Sequence, residues 1–284
     1  MPATFVVVPV WQGSVSARAM SHADGAEAIR GDLPAAATVV VDVPSEAGET
    51  LGTGVRRYST IRRVRERTAE ALATVADLPI TIGGDCGAAL ASVGHASAAT
   101  GGDLAVLWLD AHPDLNTPET SPSGAFGGMV LRAIAGEGAE GLALDESTRV
   151  APSRLVLGGA RAFDDEEVRF IDEHGVATLT VEDLSDPTAV VAALEATGAA
   201  NVYVHVDLDV LDPSALDGLS YPMPFGIDAQ TLVALVRAVV ARFPLAGASI
   251  AGFAPGSPAA ANDDLSTILR LVGALSSAGA KRAS

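Results

Sequence analysis

Residues 104–118 read LAVLWLDAHPDLNTP. Leu104 to Leu109 are apolar without a break, and the run stops at Asp110. A short apolar run that ends abruptly in polar residues is what a strand buried on both faces requires, as in a parallel sheet covered by helices. Past the strand, Asp110, His112 and Asp114 fall within five residues. Ligands of such sheets bind outside the carboxyl ends of the strands. The stretch therefore reads as a core strand that empties into a site.

The same pattern repeats along the chain. Apolar runs at 4–10, 37–43, 78–83, 154–159, 176–181, 202–210 and 247–253 add seven further strands. Between them, amphipathic Ala-rich stretches at 59–76, 86–99, 165–175, 186–198, 228–243 and 263–278 read as helices. Strands alternating with helices imply an α/β fold, a three-layer α/β/α sandwich around a mostly parallel sheet of about eight strands. With no repeat and no low-complexity linker, residues 1–284 are expected to form one domain. Residues 135–148 read as an exposed loop or weak helix.

Composition narrows the function. Hydrophobic residues make up 49% of the 284 positions but aromatics only 4%, so Ala, Val and Leu must fill the core. The net charge of −17 repels phosphate backbones and anionic membranes, which argues against nucleic-acid and membrane partners. One cysteine, Cys86, excludes an intrachain disulfide and fits a reducing compartment. No apolar run is long enough to span a bilayer and no basic leader precedes the first strand. A cytoplasmic protein is expected.

Four strand ends carry polar residues that a core cannot explain. Residues 83–87 (GGDCG) bring Asp85 and Cys86, and 104–118 bring Asp110, His112 and Asp114. Residues 205–213 (HVDLDVLDP) bring His205, Asp207, Asp209 and Asp212, and 155–167 bring Arg161 and Asp164. Period-two alternation puts His205, Asp207 and Asp209 on one strand face. Carboxylates crowded in this way repel one another unless cations lie between them. Several carboxylates with one imidazole suit Mn²⁺ or a similar divalent ion, singly or as a pair. Asp212, followed by Pro213, reads as a turn former. His22, His95 and His174 have no carboxylate at ligand spacing and read as structural or solvent-facing.

GGDCG, DAHPDLNTP and HVDLDVLDP together resemble, in order and spacing, the three metal motifs of the arginase/agmatinase (ureohydrolase) family. The resemblance runs from about residue 80 to the end. It implies the three-layer fold with an eight-stranded parallel sheet, a hydrolase acting on guanidine C–N bonds, two Mn²⁺ ions, and a homotrimer or homohexamer. Carried over, Asp110 and Asp207 would bridge the ions. Asp114 and the residue at Cys86 would complete one, and His112 with Asp209 the other. Asn116, Ser121, Ser123 and Asp164 would face the amino-acid end of a small guanidino-type substrate. Asp110 and His205 are the candidate catalytic residues, His205 as an alternative proton relay, although a buried hydrogen-bonded histidine is the simpler reading of it.

Three positions depart from the family pattern. Cys86 stands where the family has a histidine ligand, Gly127 where it has a histidine, and Gly252 where it has a glutamate. No Asp or Glu occurs between residues 229 and 262, so a shift in alignment does not restore the last. A cysteine ligates as thiolate and moves metal preference toward Zn²⁺ or Fe, or leaves one ion weakly held, or is simply a small buried hydrophobe. Cys86 and Gly127 resemble the branch that hydrolyses Nω-hydroxy-L-arginine, although that branch keeps the glutamate. Two readings follow. One is a divergent amidinohydrolase, not an ordinary arginase, that releases urea or a urea derivative from a guanidino or N-hydroxyguanidino group. The other is a catalytically silent relative that binds a metal or an amino acid, or serves a structural role.

Overall fold

The computed structural model describes residues 3–281. Its eight strands are β1 (Ala3–Val8), β2 (Thr38–Val40), β3 (Leu78–Gly83), β4 (Leu104–Leu109), β5 (Leu155–Gly158), β6 (Ala177–Leu179), β7 (Asn201–Asp207) and β8 (Leu245–Ala251). They form one sheet in the order β2-β1-β3-β8-β7-β4-β5-β6, and every neighbouring pair is parallel. The expected α/β sandwich is the observed fold.

Alternation along β4 shows how the sequence builds the layers. Ala105, Leu107 and Leu109 enter one core, and Leu104, Val106 and Trp108 the other. The first core lies under α1 (Ser21–Gly31), α6 (Pro187–Ala196), α7 (Ala229–Arg242) and α8 (Pro258–Lys281). On α7, Leu232, Leu235, Val236 and Val239 supply a buried stripe at helical spacing. The second core lies under α2 (Tyr58–Leu72), α3 (Ala89–Ala99), α4 (Val130–Ile134) and α5 (Asp165–His174). Helix starts follow local chemistry. The Asp228 side chain accepts from Thr231 N at the start of α7, and Asp186 accepts from Thr188 N ahead of Pro187 on α6.

Residues 135–148 form turns, and their Leu142 and Leu144 are buried in the second core rather than exposed. The basic run within α2 is a solvated face whose Arg62, Arg63 and Arg67 pair with Glu66, Glu46 and Asp42.

Two local departures bear on the site. β7 ends at Asp207, and Leu208–Val210 form a 3₁₀ turn, so Asp209 is delivered by a turn and not by strand alternation. Helix α1 is absent from the runs that sequence pattern marks, because Gly25 interrupts it and no side chain caps it. Gly25 is there for packing: a Cβ at that position would overlap the Phe253 carbonyl oxygen. Helix propensity alone predicts that Gly25→Ala stabilises by about 1 kcal/mol. The contact predicts the opposite sign, a loss of about 1–3 kcal/mol from overpacking, to be read by chemical denaturation. A variant as stable as the parent or more so would contradict the close approach.

Candidate metal centre

The four central strands, β3, β8, β7 and β4, end on one side of the sheet, and the polar residues of the motifs gather there. β3 runs through Gly84 to Asp85, whose carboxylate accepts from Gly13 N at 2.8 Å and Gly87 N at 2.9 Å. The short turn that follows presents Cys86. β4 delivers Asp110, and the irregular chain beyond it turns back at Asp114, whose φ of 54° is left-handed. Asp tolerates that region better than most residues.

Cys86, Asp110, His112, Asp114, Asp207 and Asp209 all line one cavity. The imidazole Nδ1 of His112 lies 2.9 Å from Asp209 Oδ2 and 3.5 Å from Asp110 Oδ1. Asp110 is held by the indole N–H of Trp108 (3.1 Å) and the His112 backbone N–H (2.7 Å). Asp209 accepts from Ala111 N at 2.9 Å, and its own N–H donates to Asp207 Oδ1 at 2.9 Å. The Cys86 thiol donates to Asp207 Oδ2 at 3.0 Å and lies 3.9 Å from Asp110 Oδ2. Two groups have ligand-capable atoms within 4.8 Å of one another: Asp110 with His112 and Asp209, and Asp110 with Cys86 and His205. Asp110 is common to both.

The arrangement is electrostatically uncompensated. Burial pushes the carboxyls of Asp110 and Asp114 upward, and for Asp114 the charge of Asp110 adds to it. Burial and then the charge of Asp209 raise Asp207 to about 7. Burial and then the charge of Asp110 raise Asp209 to about 6. Burial, reinforced by the neighbouring aspartates, also pushes the Cys86 thiol up. For His112 burial acts downward, but hydrogen bonds to Asp110 and Asp209 outweigh it and bring the imidazole to about 12. Asp114 Oδ2 is buried with no hydrogen-bond partner. A buried oxygen without a donor, among carboxylates that hold protons for want of counter-charge, fits a divalent cation. The donor set is mainly oxygen with one imidazole and one sulfur, which suits such ions.

The cavity above this floor has a volume of about 420 Å³. Asn116, Ser121, Ser123 and Asp164 line it. Asn116 Nδ2 donates to Asp164 Oδ2 at 2.8 Å, and the Thr120 hydroxyl donates to Asn116 Oδ1 at 2.8 Å. Ser121 and Ser123 accept from Gly124 N and Ala125 N and stand 3.4 Å apart. Arg161 stays outside, tying the 209–224 segment down through the carbonyls of Asp209, Met223 and Pro224. Asp212 is the turn former expected, accepting from Ser214 N and Phe225 N at the surface.

His205 comes within reach of Asp110 and Cys86 from inside the core. It is fully buried and does not line the cavity; its ring stacks on Trp108 with centroids 3.6 Å apart. Its Nδ1 lies 2.7 Å from Ser249 Oγ, and burial lowers it to about 3, so it carries no proton charge at neutral pH.

Three lining residues had no sequence signal. His22 lies on α1 and is buried against the cavity, not solvent-facing. Glu167 reaches back from α5 to accept from Leu115 N and Asp164 N. Tyr221 donates to or accepts from Ser14 Oγ at the mouth. His95 is half-buried on α3, and His174 is exposed at the end of α5 beside Phe170.

The two glycine replacements differ. A Cβ on Gly127 would meet only the Gly13 carbonyl, at 3.3 Å, a tight contact that a shift of a few tenths of an ångström relieves. Gly252 has φ +87°, and a Cβ there would overlap the Asp207 carboxylate. With Asp207 in this place, the backbone at 252 admits glycine alone.

A family model for arginases matches residues 14–272. The chain belongs to the arginase family. It is 34% identical over 199 residues to an arginase of Staphylococcus aureus (strain MRSA252), covering 66% of this chain and 64% of the relative, just under two thirds of its length. It is 32% identical over 227 residues to the N(omega)-hydroxy-L-arginine amidinohydrolase of Streptomyces lavendulae, 78% of each chain. The crystal structure of Entamoeba histolytica arginase in complex with L-ornithine superposes with a TM-score of 0.84 over 96% of this chain and 97% of that one, at 23% identity. At that identity the likeness speaks for the arginase fold. Arginase-family proteins normally bind a binuclear metal site, and the donor groups clustered here fit one.

The raised carboxyls set a pH dependence for chelator-treated protein. Folded Asp207 and Asp209 hold protons up to about 7 and about 6, whereas an unfolded aspartate lets go near ~4. Their contribution is complete below the unfolded value and is lost as pH rises through the folded one. His112, raised to about 12, loses its share from about 6.5 upward. The thermal midpoint is expected to fall between pH 5 and 8; a flat or rising profile would refute the reading of the cluster. Gly252→Ala should lower the midpoint further, measured by the same scan.

Proposed function

We propose that this arginase-family protein is a divergent amidinohydrolase that breaks a guanidino or N-hydroxyguanidino C–N bond and releases urea or hydroxyurea. The observation that carries the proposal is the shared carboxylate Asp110, flanked by His112 with Asp209 on one side and Cys86 with Asp207 on the other, at the floor of one cavity.

Asp110, His112, Asp114, Asp207, Asp209 and Cys86 would hold two divalent ions, Mn²⁺ by family resemblance. When bound, such ions polarise the guanidine and make water acidic enough to serve as nucleophile near neutral pH. The chain's own groups do the rest. Asp110, fixed by Trp108 and the His112 backbone, sets the spacing of the two halves. The Asn116–Asp164 pair and the Ser121–Ser123 rim offer donors and acceptors to the ammonium and carboxylate of an amino-acid substrate. Gly127 brings no imidazole to hand a proton to the leaving amine, help worth about 10²–10⁴ in rate. Gly252 brings no carboxylate to pair with a guanidinium. Both losses favour a substrate that is less basic than arginine, which the kinship to an N(omega)-hydroxy-L-arginine amidinohydrolase also supports. His205, buried behind Trp108, then acts on the site only through its neighbours.

The same reading takes residues 1–284 as one domain in a cytoplasmic homo-oligomer, with no nucleic-acid or membrane partner. The net charge of −17 supports it. Among the described residues no helix is long and apolar enough to cross a membrane.

Elemental analysis after Mn²⁺ incubation, with urea and hydroxyurea release over a guanidine panel, tests the proposal. Two equivalents of metal and faster release from N-hydroxy-L-arginine than from arginine are expected. Bound amino acid without metal or release would instead establish the silent, ligand-binding role. Because a side chain at 127 needs only a small shift of the Gly13 carbonyl, Gly127→His should raise arginine hydrolysis, by up to about 10²-fold, in a coupled urea assay.

A further inference from the structure

His22 has no part in the family's metal motifs, yet it lines the cavity, as do Gly13 and Asp85. Its Nδ1 lies 2.9 Å from the Gly84 carbonyl oxygen. A carbonyl only accepts, so Nδ1 carries the proton, and in the neutral ring Nε2 keeps its lone pair. Nε2 is buried and has no hydrogen-bond partner in the protein. Asp85, the carboxylate beside it in the cavity wall, spends its oxygens on Gly13 N and Gly87 N. A buried acceptor left unmade costs roughly 1–3 kcal/mol and calls for a partner, a water, an ion or a ligand, or for a functional role.

The position of the ring gives that ligand a place. Gly252 N–H donates to the same Gly84 oxygen, at 3.0 Å. His22 and Gly252 thus share one anchor, and the imidazole stands next to the backbone position from which an acidic side chain is missing. A carboxylate there cannot return while Asp207 fills the space over Gly252.

We propose that His22 Nε2 is the substrate-facing acceptor that replaces the missing carboxylate, taking an N–H or O–H from an uncharged amidine-type group. It rests on the amidinohydrolase reading and deepens it by setting the charge class of the substrate. A carboxylate selects a guanidinium through charge; an imidazole lone pair offers a hydrogen bond without charge compensation, so a neutral N-hydroxyguanidine binds in preference to a guanidinium.

Calorimetric titration of the metal-loaded full chain with N-hydroxy-L-arginine and with arginine tests this, in the parent, His22→Phe, His22→Gln and His22→Glu. The parent should bind the N-hydroxyguanidine more tightly. His22→Phe should weaken that binding about tenfold, equal to about 1.4 kcal/mol. His22→Gln, which keeps an acceptor, should recover most of it, and His22→Glu should shift the preference toward arginine. Metal content and thermal midpoint, measured on each variant, separate loss of the acceptor from loss of the site. Unchanged affinity ratios in His22→Phe and His22→Glu would overturn the assignment even if hydroxyurea or urea is released. Binding that follows the expected order without release of either product keeps His22's role and defeats the hydrolase reading.

Discussion

Everything at the carboxyl edge of the sheet answers to one constraint: four aspartates are buried within reach of one another, and of the nearby imidazoles His112 makes the direct contacts with their carboxylates. Mutual repulsion and loss of hydration both favour protonation, which is why Asp110, Asp114, Asp207 and Asp209 all move upward. The protein spends considerable structure keeping them there. Trp108 and the His112 backbone orient Asp110, Ala111 orients Asp209, and the turn after β7 orients Asp207. A chain selected for stability alone gains little from such a cluster. Its persistence is a statement about ligands.

The same crowding explains the departures from the family pattern as a connected set. Cys86 donates a hydrogen bond from its thiol to Asp207, and burial keeps the proton on sulfur in the absence of a cation. Asp207 in turn fills the space that a Cβ on residue 252 would need. Gly252 and the lost glutamate are thus tied to where Asp207 sits, whereas Gly127 faces open cavity and is independent. On the proposal made for it, His22, held by the backbone oxygen that also holds Gly252, stands in for the lost carboxylate and not for the lost histidine.

Much of the fold was legible in the chain because burial on both faces leaves a blunt trace. Eight apolar runs correspond to eight strands, and polar residues at their carboxyl ends mark the working edge. Helix α1 left no such trace, since a glycine required by the Phe253 carbonyl breaks its pattern. The alternation that joined His205 to Asp207 and Asp209 holds only as far as the strand does. His205 turns onto Trp108 inside the core, and Asp209 comes to the site from a 3₁₀ turn.

By itself the sequence determined the layer architecture and the ligand-bearing strand ends, because these depend on residue type and short-range spacing; the three departures at 86, 127 and 252 were legible only against the family's motifs. Tertiary structure alone decided which groups meet. The order β3-β8-β7-β4 sets Cys86, 121 residues away in sequence, against Asp207. It also brings His22 to Gly84 across 62 residues and closes the backbone at 252 to anything larger than glycine. Local pattern carries no record of such distances, because strand order is settled by packing and crossover handedness rather than by neighbours in the chain.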